Sequence, residues 1–104
     1  MKSIELDYSK RCADEPEKGH NRWHPDIPPV VEVDPYEEVV MQTRHAFDGQ
    51  ITPTTVASDL LGTDLGLVHP LTGPVFVKGA EPGDLLEVTI QRIEPAHWGF
   101  TSIL

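Results

Sequence analysis

The chain has 104 residues, with 17 acidic against 8 basic side chains and a formal net charge of −9. That length holds one small domain with a thin margin of stability. The charge excludes nucleic acid and anionic membrane surfaces, whose phosphates need clustered Lys and Arg, and favours a neutral or cationic small ligand. A single cysteine, Cys12, excludes a disulfide within the chain and points to a reduced compartment. The sequence opens without an apolar signal core, and no apolar run approaches the roughly 18 residues of a membrane helix. A soluble cytoplasmic protein is therefore expected.

Residues 1–19 read as a polar lead-in, with Asp14, Glu15 and Glu17 clustered and room for one edge strand. Residues 20–29 cannot be helical, because Pro25, Pro28 and Pro29 break a helix and push each preceding residue towards extended geometry. Two strand-like runs follow: Val30, Val31 and Val33, then Val39, Val40 and Met41, separated by the turn Asp34-Pro35-Tyr36-Glu37. Residues 45–56 form a loop around Phe47-Asp48-Gly49-Gln50. Residues 57–66 make the one plausible helix, short, capped by Ser58 or Thr55, with Leu60, Leu61, Leu65 and Leu67 as its apolar face.

The last third is the clearest. Val75-Phe76-Val77 reads as a strand. Glu81-Pro82-Gly83-Asp84 has the chemistry of a type II turn, with Pro fixing the first central residue and Gly supplying positive φ at the second. Leu86, Val88 and Ile90 then alternate with Glu87, Thr89 and Gln91, the period of a strand with one buried face. The two acid–Pro–x–acid turns echo each other, either as related hairpins of one barrel or by coincidence in a proline-rich chain. These short runs predict a mainly β fold of antiparallel strands and hairpins, part of a barrel or sandwich, with one short helix. The final residues, Trp98 to Leu104, stay apolar where domains usually turn polar. Either they pack as a last strand, or more chain is expected after them.

Three segments together resemble the acetamidase/formamidase family: His20-Asn21-Arg22-Trp23-His24-Pro25-Asp26-Ile27-Pro28-Pro29, then Ala46-Phe47-Asp48-Gly49-Gln50-Ile51, then His69-Pro70-Leu71-Thr72-Gly73-Pro74 on to Leu86. Their order and spacing agree, and the His-Pro-Asp stretch after Trp23 is similar to the formamidase branch. The resemblance implies hydrolysis of short aliphatic amides such as formamide or acetamide to the carboxylic acid and ammonia. It also implies a mainly β, cytosolic homo-oligomer, metal-dependent in some members, and a longer chain. On that reading residues 20–104 are the N-terminal part of the domain, and the isolated chain is expected to be inactive. Family members tend to carry an acid where this chain has His45.

Amide hydrolysis needs an activated water or nucleophile, a stabilised oxyanion and a protonated leaving amine, and a metal with bound water supplies the first two. His20, Asp48 and Asp59 are the candidate catalytic residues. His20, His24 and His69 are the candidate ligands for zinc or calcium. Pro25 rules out a helical His20–His24 pair. An extended chain instead puts His20, Arg22, His24 and Asp26 on one face. Each has a plainer role open to it: His20 and His24 as loop caps, Asp48 as a turn residue bonding its own backbone, Asp59 as a helix N-terminal charge. Cys12 is a poor nucleophile, because acids offset its cationic neighbours. A rival reading is a non-catalytic β module that self-associates or binds a partner or metal through open strand edges.

Overall fold

The structure, a computed structural model, describes residues 1–103; Leu104, the last of the apolar tail, lies outside the described residues. Six short strands carry the fold: β1 (Lys2–Ile4), β2 (Gly19–His20), β3 (Val31–Val33), β4 (Val39–Met41), β5 (Leu71–Thr72) and β6 (Val75–Val77). The fold is mainly β, as the β-branched runs and turn residues predict, but its ladders are two-stranded and no barrel or sandwich closes among the described residues.

The pairing differs from the hairpins expected. Only β2–β5 is antiparallel; β1–β4 and β3–β6 run parallel. Parallel partners need long crossovers, and here each connection exceeds thirty residues. The turn at Asp34–Glu37 does form, with the Glu37 N–H donating to the Asp34 carbonyl at 3.1 Å. The strands on either side of it, β3 and β4, nevertheless find separate partners, because sequence neighbours are not obliged to pair.

The expected helix is a single 3-10 turn, Ala57–Gly62, with no buried residue. Leu61 and Leu65 face solvent, so no core holds an apolar face in place and the α-helix has nothing to pack on. Neither Ser58 nor Thr55 caps it; the Asp59 carboxylate accepts the Val56 N–H at 2.9 Å instead. Residues 86–90 also differ from expectation. Leu86, Val88 and Ile90 are all exposed and no ladder forms among the described residues. Alternation marks a sequence able to pair, but a strand needs a second strand to take its N–H and C=O groups.

The core is small and lies under the N-terminal residues. Ile4 is only 1% exposed, joined by Cys12, Val33 and Ile51. The polar 1–19 stretch thus supplies β1, the 3-10 turn Cys12–Asp14 and the buried side chains of Ile4, Cys12 and Glu15. Burying one such aliphatic side chain stabilises by about 1.5–3 kcal/mol.

A buried ionic cluster ties this stretch to the loop after β4. Arg44 Nη2 donates to Glu15 Oε1 at 2.5 Å, and Nη1 lies 3.8 Å from Asp48 Oδ1. Nη1 also donates to the Lys10 carbonyl at 2.5 Å. Asp48 Oδ2 accepts the Cys12 N–H at 2.9 Å. Buried charges need such partners, and every member of this group has more than one.

Candidate functional site

The β2–β5 ladder places the first candidate. Gly19 pairs with Thr72 and His20 with Leu71. A Cβ on Gly19 would fall 2.4 Å from the Leu71 carbonyl oxygen, so only glycine lets the two backbones close this tightly. Beyond His20 the chain bends at Asn21 and Arg22 and turns at Pro25–Asp26. The single extended face carrying His20, Arg22, His24 and Asp26 is therefore not formed. Asn21 Nδ2 instead donates to the Gly66 carbonyl at 2.7 Å, pinning this bend to the 64–67 turn.

Two shallow cavities flank the bend. One, of about 220 Å³, is lined by Cys12, Gly19, His20, Asn21 and Arg22 among others. The other, of about 500 Å³, is lined by Asn21, Arg22, Trp23, Leu65, Val68, His69 and Leu71. Asn21 and Arg22 line both, so the cavities adjoin, with His20 on one side and His69 on the other.

His20 Nδ1 is buried without a hydrogen-bond partner, the one such side-chain atom among the described residues. A buried polar atom left unpaired costs about 1–3 kcal/mol, and the residue that carries it lines the first cavity. His24 is exposed, and its Nδ1 accepts the Asp26 N–H at 3.1 Å, the capping role open to it from sequence. His69 is exposed with φ of 60°, and its N–H donates to the Ala46 carbonyl at 2.7 Å.

Asp48 and Asp59 line neither cavity. Asp48 is 4% exposed, with its carboxylate engaged by Cys12 and Arg44. Asp59 is exposed and caps the Ala57–Gly62 turn. His20, His24 and His69 do not converge: no three His, Cys, Asp or Glu side chains could jointly hold a metal ion among the described residues. The residues present do not fit a zinc or calcium site by themselves, and no chemical step here is routed through one. Cys12 is buried, and desolvation, then the nearby Asp48 carboxylate, push its thiol above the ordinary value, so it stays protonated and poorly nucleophilic.

Sequence reasoning did not single out Arg44. Its signal was available: an Arg four residues before Asp48 in a chain poor in cations and rich in acids. Asn21 and Arg22, the donors shared by both cavities, lie inside the first family-like segment but carry no signal of their own.

The acetamidase/formamidase family model matches residues 5–104. The chain is 42% identical to an acetamidase of Mycolicibacterium smegmatis over 94% of its own length and 27% of the relative's. It is 39% identical to a formamidase of Methylophilus methylotrophus, covering 99% of this chain and 26% of that one. A gamma lactamase from Delftia acidovorans superposes with a TM-score of 0.71 at 43% identity, over 80% of this chain and 20% of that one. The chain thus spans about a quarter of the length of the curated relatives it matches. A match across all but the first four residues makes this chain a member of the acetamidase/formamidase family.

Proposed function

We propose that this chain contributes to hydrolysis of short linear amides, formamide and acetamide, to the carboxylic acid and ammonia. The observation that carries this is identity of about 40% to relatives named acetamidase and formamidase across nearly the whole of this chain. The adjoining cavities suit a small neutral amide. Arg22 and Asn21 bring N–H donors of the kind that hold a carbonyl oxygen as it gains charge. His20, whose buried Nδ1 has no partner, is the residue we assign to accepting a proton. The cytoplasm suits a lone buried thiol that no disulfide uses.

The test places this chain in the frame of the Mycolicibacterium acetamidase, replacing the quarter it matches, and measures ammonia release from formamide and acetamide. The chimera is expected to be active, and His20→Ala within it to lose about a hundredfold in kcat, the usual worth of one acid–base group. A folded but inactive chimera would overturn the reading. Steady release by the isolated chain would show that these residues alone complete the site.

A second reading rests on the exposed 85–93 stretch: a non-catalytic β module that self-associates through it. Size-exclusion at low and high concentration separates the two, since such a module should form a defined homo-oligomer without turnover.

A further inference from the structure

The turn 45–49 presents two backbone donors to one side chain. The Phe47 N–H is aimed at His45 Nδ1 at 3.1 Å, and the Gly49 N–H at His45 Nε2 at 2.9 Å. A neutral imidazole has one lone-pair nitrogen and carries a proton on the other, so it accepts from one of these amides at a time. A doubly protonated imidazole accepts from neither and sets its own N–H groups against both. A carboxylate would accept from both.

This turn also joins the walls of the two cavities. Asp48 within it holds the Cys12 N–H at 2.9 Å, on the first cavity's wall. The Ala46 carbonyl holds the His69 N–H at 2.7 Å, on the second. We propose that His45 is a positioning residue: its neutral imidazole holds the 45–49 turn, and through it both cavity walls, and protonation releases them.

The groups around His45 are few. Asp48 is the charge on its own turn, and Arg44 before it is spent on Glu15 and Asp48. Phe100 from the C-terminal stretch meets its ring edge-on, with centroids 5.4 Å apart. His69 lies on the segment bonded to Ala46, through its backbone. Desolvation holds His45 below the ordinary value of 6.5, and Asp48 opposes that more weakly. A depressed histidine means that the unfolded chain binds more protons between the folded value and 6.5. The stability it contributes is therefore complete above about pH 6.5 and is lost as pH falls below it.

Amide hydrogen exchange on the full chain, read alongside the ring carbon signals of His45, tests this without reference to catalysis. Failure of the amidase reading would leave the result untouched. Protection factors at Phe47 and Gly49 should fall by about tenfold as His45 protonates, the equivalent of one lost hydrogen bond. In His45→Asp they should be higher at neutral pH and flat from pH 7.5 to 5.5. In His45→Ala they should be low throughout. A wild-type titration in which both amides keep their protection, or a His45 that titrates above 6.5, would overturn the proposal even if both variants failed to fold.

Discussion

The chain contains the same turn twice, and the strands that follow have opposite fates. At Asp34–Glu37 the Glu37 N–H returns to the Asp34 carbonyl at 3.1 Å, and the Glu37 carboxylate accepts the Asp34 N–H at 3.0 Å. At Glu81–Asp84 the Asp84 N–H returns to the Glu81 carbonyl at 3.0 Å, and the Asp84 carboxylate accepts the Glu81 N–H at 2.8 Å. The third residue has positive φ in both, 69° at Tyr36 and 95° at Gly83. After the first turn Val39–Met41 pairs with β1; after the second, Leu85 to Ile93 stays exposed and without a ladder among the described residues. Turn chemistry is local and forms wherever its four residues occur. A strand is a contract between two segments, and the first has a partner that the second lacks.

The largest effect should come from breaking what ties the first region together. Arg44→Met removes the cation that meets Glu15, Asp48 and the Lys10 carbonyl, leaving two buried carboxylates without it. Breaking a buried pair in this way costs about 3–5 kcal/mol, a large share of what a small domain has. We expect loss of cooperative unfolding in a thermal melt. A variant with an unchanged melting curve would show that residues 7–15 are held without the Arg44 contacts.

How much of this was legible beforehand divides along the same line. The turns, the β-branched strands and the non-helical 20–29 segment each follow from the φ preferences of a few adjacent residues, and they formed. Partner choice did not, because Val31–Val33 pairs with Val75–Val77 across more than forty residues and nothing in either run names the other. At the site, His20 was visible as chemistry. Its orphaned Nδ1 and its place beside Asn21 and Arg22 depend on Gly19 closing against Leu71, a contact visible only in three dimensions. Asp48 has the same chemistry and the same Phe-Asp-Gly-Gln setting whether it faces a substrate or an arginine, so its contact with Arg44 is not legible in the sequence.

The comparison sharpens if the first turn is made more like the second. Tyr36 is fully exposed and sits at φ of 69°, where a Cβ is strained. Tyr36→Gly gives up no packing and relieves that strain, offset in part by the greater freedom glycine adds to the unfolded chain. A net gain of about 0.5–1 kcal/mol is expected, or a rise of about 4 °C in Tm. A fall in Tm would mean that the Tyr36 ring makes a contact in solution.

The smallest effect on stability should come from the region without partners. Val88 is 75% exposed, in the middle of the alternating run. Val88→Glu should change unfolding free energy by less than about 0.5 kcal/mol, because a side chain this exposed has little to lose. Its effect should appear elsewhere. A charge on the apolar side of an open strand blocks edge-to-edge pairing, the device that natural sheets use at their margins. If this stretch is where the chain associates, wild type should shift to larger species with concentration in sedimentation, and Val88→Glu should not. A variant that loses several degrees of Tm would place Val88 in a packed interface, and the contrast between the two regions would then be one of partner identity and not of partner absence.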